Sequence, residues 1–290
     1  MPNKNIIKAV GCFFVLFVFA IGSLFGQTDL SGDWAPRIHE DALERGPGPA
    51  LGDYLGLPVN DAARLFADSW DASRLTLLEH QCMPHISPYV HRDPFAMRIW
   101  EEKDPNTQQV IAVKIYHSYG ETMRTIWMDG RPHPPEYARH TWLGFSTGKW
   151  DGPILNVTTT HVKQGWVRRN GLPESDLATS VEHVMRHGDI LTHVVIITDP
   201  IYLTEPLIKS QNFVLDAHWE GVWTFPCEYA EEVNSRGEGW VPHHLPGENN
   251  MITEFGEKYH LPAEVTRGGA ETMYPEYQRK LNSVPKSTGK

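Results

Sequence analysis

The stretch SVEHVMRHGDILTHVVIITDP, Ser180 to Pro200, decides the fold. Side chains alternate on either side of His187-Gly188-Asp189. With a period of two, Val181, His183 and Met185 share one face of the first run, and Glu182, Val184 and Arg186 share the other. In the second run Leu191, His193, Val195 and Ile197 lie together, opposite Ile190, Thr192, Val194 and Ile196. Two such runs around an HGD turn predict a β-hairpin. A hairpin about HGD makes His183 and His193 near neighbours on its apolar face.

The same rhythm extends outward in both directions. AMRIWEEKD turns at DPNTQ into QVIAVKIYHSY, and ETMRTIWMDG, HTWLGFSTGKW and DGPILNVTTTH follow. Short β-rich runs joined by tight turns predict a mainly β chain, an antiparallel meander over residues 96–216 closing into a lipocalin-like barrel. No helix-length segment separates successive strands, which argues against a parallel sheet. Residues 27–95 are loop-rich with one short helix, about 61–70, capped by Asn60 or Asp61 and carrying Ala63, Phe66 and Trp70 at apolar spacing. Residues 217–290 form a C-terminal extension on the barrel. It contains a short helix in ITEFGEKYH, capped by Asn249 or Asn250, and an extended tail, TRGGAETMYPEYQRKL, helical at most near its end.

Lys4 and Lys8 precede an uncharged apolar run from Ala9 to Gly26, the pattern of a secretory signal peptide over residues 1–26. A retained anchor is the alternative, and no later segment is long enough to span a membrane. Removing residues 1–26 takes away two lysines and changes the formal charge from −10 to −12. An acidic chain without a Lys/Arg run argues against nucleic acid or an anionic membrane surface as partner. The expected location is periplasmic or secreted. There Cys82 and Cys227 are expected to pair; buried thiols, or thiolate ligands beside His80 and His85, are the other readings.

All fifteen histidines follow residue 26. His117, His161, His183 and His193 fall in or at the ends of strands. Pointing into one barrel, they could hold zinc or copper, or serve in acid–base chemistry with His183, His193 and Asp189 as catalytic candidates. Separately hydrogen-bonded histidines are the competing reading, and no HExxH is present. In RTIWMDGRPHPPEYARHTW, Arg124 to Trp142, a turn at Asp129-Gly130 leads into Pro132, Pro134 and Pro135. These prolines fix the backbone and could hold Arg131, His133, His140 and Trp142 for a ligand, or could only route the chain. Arg168, beside Arg169, could grip an anionic group or serve as a surface ion-pair partner.

The blocks RTIWMDGRPHPPEYARHTWLGFSTGKWDG, RHGDILTHVVIITDP and RGGAETMYPEY resemble an uncharacterised family of exported bacterial proteins, which implies export and a shared fold. LSGDW is similar to the Gly-x-Trp that opens the first strand of lipocalin-like barrels, where the indole plugs one end. Residues 35–95, between that Trp and the main strand series, depart from a simple lipocalin. The expected function is binding of a small, partly apolar molecule in a cavity lined by Trp, Tyr and His. An enzyme using cavity histidines and a carboxylate for hydrolysis, hydration or isomerisation is the alternative, and an envelope interaction protein is the third.

Overall fold

The computed structural model describes residues 28–42, 48–87, 89–92, 95–118, 120–216, 227–233, 235, 237 and 239–283. The expected signal peptide, with Cys12, lies outside them. Among the described residues no helix is long and apolar enough to cross a membrane.

The strands, in chain order, are β1 (Gly32–Pro36), β2 (Met97–Lys103), β3 (Val110–His117), β4 (Thr122–Trp127), β5 (Phe145–Asp151) and β6 (Ile154–Thr160). They continue with β7 (Gly165–Trp166), β8 (Pro173–Glu174), β9 (Thr179–His187), β10 (Ile190–Thr198) and β11 (Leu207–Leu215). All but β7 and β8 form a closed barrel in the order β1-β11-β10-β9-β6-β5-β4-β3-β2, so the mainly β, closed architecture expected from the strand rhythm is the one that forms. Its first strand comes from the loop-rich N-terminal segment. Trp34 on that strand is fully buried. Its indole donates to the Leu30 carbonyl at 2.9 Å, and the Arg186 guanidinium lies 5.3 Å from its ring centre.

One seam departs from the expected meander. β4 and β5 are parallel, pairing only Ile126 with Ser146 and Trp127 with Thr147. A parallel pair needs a long return connection, and residues 128–144, the proline-rich loop, provide it without a helix. Gly148 lets the seam close on the interior: a Cβ there would stand 2.5 Å from Met128 Sδ and 2.9 Å from Ile126 Cγ2.

The β9–β10 hairpin corrects the predicted pairing of histidines. His187 pairs with Ile190, so the turn holds two residues, Gly188 and Asp189, with Gly188 at φ 60°. A three-residue turn would have set His183 against His193. One residue fewer slides the register and flips one strand's faces relative to the other. His193 therefore opposes Val184, while His183 opposes Val194 on the outside. Glu182 goes inward instead.

The interior is stacked in layers. One apolar core joins Trp34, Met97, Ile99, Val113, Ile126, Leu155, Leu191 and Phe213. A second packs Val195, Ile197 and Leu207 against Tyr54, Val59, Ala63 and Ala67 of the N-terminal segment and Leu172 beyond β7. Between them lies a buried polar layer.

The N-terminal segment is more helical than expected. Helix α1 (Asp61–Asp68) is capped by Asn60, whose side chain accepts from the Ala63 amide, and turns at Ala72–Thr76, Leu78–Gln81 and Tyr89–Arg92 follow. The C-terminal tail is helical near its end, Pro275–Ser283, as expected, and also earlier, at Ala263–Thr266 and Ala270–Met273, where an extended chain was expected. Asn249 caps the first turn, and Pro262 and Pro275 open later ones with a backbone angle suited to a helix start.

Cys82 and Cys227 form the expected disulfide, 145 residues apart in sequence. It ties the N-terminal segment to the C-terminal extension. Replacing Cys227 with Ser is expected to lower unfolding free energy by about 2–4 kcal/mol, because the unfolded chain regains the entropy of an open loop. Urea unfolding with and without reductant checks this; equal midpoints would refute it.

Candidate functional site

Strand alternation sets the polar layer. Thr122, Arg124 and Ile126 turn inward from β4, Ser146 from β5, Thr159 from β6, Glu182 from β9, and His193 and Gln211 from β10 and β11. Arg124 and Glu182 meet head-on, and each is about 1% exposed. Arg124 donates to Glu182 through Nη2 to Oε1 at 2.5 Å and Nη1 to Oε2 at 2.8 Å. Its Nη2 also donates to Thr159 Oγ1 at 2.9 Å and Ser146 Oγ at 3.2 Å.

The third wall is His91, on the Tyr89–Arg92 turn that reaches into the barrel. Arg124 Nη1 donates to its Nε2 at 2.8 Å, which requires neutral imidazole with the proton on Nδ1. His193 Nε2 lies 2.9 Å from Glu182 Oε2, and its Nδ1 faces the Gln211 amide nitrogen at 3.3 Å. The His193 proton therefore sits on Nε2, toward the carboxylate. His117 completes the group, its ring 4.9 Å from His91. Among the described residues, neither His117 Nε2 nor His91 Nδ1 has a hydrogen-bond partner.

Burial decides the charge states. It pushes His91 down to about 3, helped by the neighbouring His193 and Arg124, and outweighs the opposing pull of Glu182. Burial likewise carries His117 well below the usual histidine range. Burial alone would raise Glu182, but the Arg124 charge and the hydrogen bonds from Arg124 and His193 outweigh it and hold the carboxylate ionised. For Glu174, burial, reinforced by Asp199, outweighs the opposing charge of Lys209 and lifts it well above the usual carboxylate range.

Among the described residues one group has the spacing of a metal site. His91 Nε2, Glu182 Oε2 and His193 Nε2 lie within 4.8 Å of one another. Tetrahedral zinc with bonds of about 2.0–2.1 Å sets its ligands roughly 3.3 Å apart, and the carboxylate–imidazole separations here are 2.9 and 3.7 Å. Arg124 Nη1, however, already sits 2.8 Å from both His91 Nε2 and Glu182 Oε2. The guanidinium is the cation of this cluster. A divalent ion would join it against a single carboxylate.

Two concavities adjoin the layer. A cavity of about 20 Å³ lies beside His193, bounded by Glu174, Lys209 and Gln211. That is room for about one water. A cleft of about 490 Å³ opens on the outer flank where β4 and β5 part, walled by Met123, Trp127, Trp142, Leu143 and Phe145. Arg124 and Ser146 line its seam while their side chains turn inward.

The proline loop buttresses this cleft. Arg131 stacks 3.5 Å above the centre of the Trp127 ring while bonded to Asp129. His133 meets Phe145 edge-on at 5.3 Å and bonds to Thr147 and Thr160. Trp142 is itself a wall and carries Lys163 at 4.6 Å. His140 points elsewhere, bonding to the Val162 carbonyl and packing on His161.

The other predicted site residues disperse. His161 bonds to Thr160 and the Pro135 carbonyl. His183 binds Asn156 on the outer face, Asp189 is exposed in the hairpin turn, and Arg168 donates to the Asp53 carbonyl. Only His117 and His193 of the proposed metal set share the interior. The sequence did not point to His91, Arg124 or Glu182 as a site. Alternation in TMRTIW places Arg124 beside Ile126, a usable signal, but His91 lies in a loop without periodicity.

No protein-family model matches the chain, and no curated protein or solved structure shows significant similarity to it.

Arg124→Met leaves Glu182 charged and unpaired, and is expected to cost about 3–5 kcal/mol. Adding Glu182→Gln should recover part of that loss; strictly additive losses in urea unfolding would contradict the pairing. A second expectation concerns acid. His91 is neutral when folded, with its folded value depressed to about 3 against an ordinary 6.5. Unfolded chains therefore take up the extra proton between those values, and stability falls as pH drops through that window. The loss approaches about 1.4 kcal/mol per pH unit for one such histidine. His91→Gln should flatten this acid limb in thermal unfolding; an unchanged slope counts against it.

Proposed function

We propose that this chain is an exported β-barrel binding protein that takes a small, partly apolar molecule with an anionic group in the β4–β5 cleft. The observation that carries the proposal is the cleft wall: Trp127, Trp142 and Phe145 around about 490 Å³. Pockets for small molecules are typically about 300–1,000 Å³ with mostly apolar walls and a few polar groups. Two of these indoles already carry cations, Arg131 and Lys163, on their faces. Arg131 is already paired with Asp129, so in an acidic chain Lys163 is the cation that favours a negative group on the ligand. Export is supported by the apolar N-terminal run and by the disulfide, which suits an oxidising compartment.

A wider basin of about 1230 Å³ at the end of the barrel, with Trp100 and Trp150, competes for the role. It is broader than a small ligand needs, and its Lys103 is already paired with Glu101. Among the described residues, neither concavity is lined by a tyrosine or histidine, so the described histidines of the interior stand apart in the polar layer.

An acid–base enzyme is the second reading. It is favoured by the His193–Glu182 pair and by Glu174, whose carboxyl burial raises, across the small cavity. The cavity of about 20 Å³ leaves no room there for a substrate.

The fluorescent probe 8-anilino-1-naphthalenesulfonate, an aromatic anion, tests the main proposal. Saturable binding is expected, weakened at least about tenfold by Trp142→Ala and little changed by Trp150→Ala. Absence of saturable binding, or loss on Trp150→Ala alone, would sink the cleft as the site.

A further inference from the structure

β10 is apolar on both sides. Leu191, Val195 and Ile197 enter the barrel, while Ile190, Val194 and Ile196 turn outward. In an antiparallel barrel with one wet side, outward positions are normally polar; an apolar run on both faces marks a strand covered on both. The neighbouring strands share this character. Val181, His183 and Met185 face outward from β9, and Ile208, Ser210, Asn212 and Val214 from β11. From β6 come Ile154, Asn156 and Thr158.

None of these outward positions on four adjacent strands is Asp, Glu, Lys or Arg, in a chain of which 21% is charged. The contrast within the same barrel is sharp: β2 and β3 present Arg98, Glu102 and Lys114 to the outside. Charge returns at the borders of this face, with Lys149 on β5, Asp33 on β1 and, over β11, the Glu40 carboxylate, which accepts from the Asn212 amide and pairs with Arg37. The face is open, with Ile208 63% exposed, Val181 39% and Val214 37%. An uncharged centre with a charged border is the anatomy of a protein–protein interface.

We infer that this face is where a second copy of the chain docks, sheet against sheet across a twofold axis near Val194. Three physical points select a second copy. A twofold contact sets each residue against its own kind or that of its neighbours, so any charge near the axis would meet itself; here there is none. The polar residues nearest the axis, Asn156, His183, Thr192 and Ser210, can each both donate and accept, and so can pair with their own copies, while Asn212 on the same face is held by the Glu40 carboxylate. Acidic copies of formal charge −10 repel each other over the rest of their surfaces, which leaves the uncharged face as the approach of least resistance. The extent is adequate: four strands about 4.8 Å apart and about nine residues long project roughly 500–600 Å². Protruding side chains raise that toward the roughly 800 Å² per partner of a standard interface.

Sedimentation of the purified protein tests the inference through Val194→Arg and Val194→Glu. The unmodified protein should sediment as a dimer, and each variant alone should halve the mass without lowering the thermal midpoint. Mixing the Arg and Glu variants should restore the dimer, because opposite charges then meet across the axis. Ile208→Arg, at the most open position, should also give monomer and guards against a folding defect at Val194. A monomer at the highest attainable concentration would overturn the inference. So would dimers that survive all three substitutions, or a mixture of the two Val194 variants that stays monomeric.

Discussion

A guanidinium and a carboxylate at the centre of the barrel constrain everything around them. Removing Arg124 and Glu182 from water costs several kcal/mol for each ion. That cost is offset only if their hydrogen bonds are met in full. Thr159, Ser146 and His91 share the remaining Arg124 donors, and His193 shares the carboxylate. The layer therefore specifies the barrel. Each of β4, β5, β6, β9 and β10 must hold its register, because a slip of one residue would strand a charge.

The same demand explains why the N-terminal segment fills one end of the barrel. His91 is the acceptor that Arg124 needs, and only a chain entering from outside the strands can bring it there. Tyr54, Val59, Ala63 and Ala67 then seal the layer from water with the second apolar core. A simple open cup would leave that end free for a ligand. Here the chain itself occupies it, and the space suited to a small molecule moves to the flank, where the parallel seam parts.

Much of the fold was legible in the sequence because alternation and turn residues are local signals. The strands, the closed barrel, the Asn60-capped helix and the disulfide all follow from patterns within the sequence or from cysteine number. The site was less legible for two physical reasons. The HGD turn, read as joining His183 to His193, differs by one residue from the actual Gly188-Asp189 turn, and one residue exchanges Glu182 for His183 inside the barrel. His91 and Arg124 are distant in sequence and meet only after closure, so no spacing could announce them. The proline loop shows a third case. Its stiffness was readable, but its task of returning the chain for a parallel pair depends on which strands become neighbours.

The ion pair itself is the central claim, and the carboxyl ¹³C resonance of Glu182, followed by NMR as pH falls from neutrality, reads it most directly. The structure requires that signal to stay at its ionised position through the whole range in which ordinary glutamates titrate, moving only when the protein unfolds. A carboxyl that protonates at or above the ordinary glutamate value of 4.5 while the barrel remains folded would show that Arg124 does not hold it, and would contradict the account.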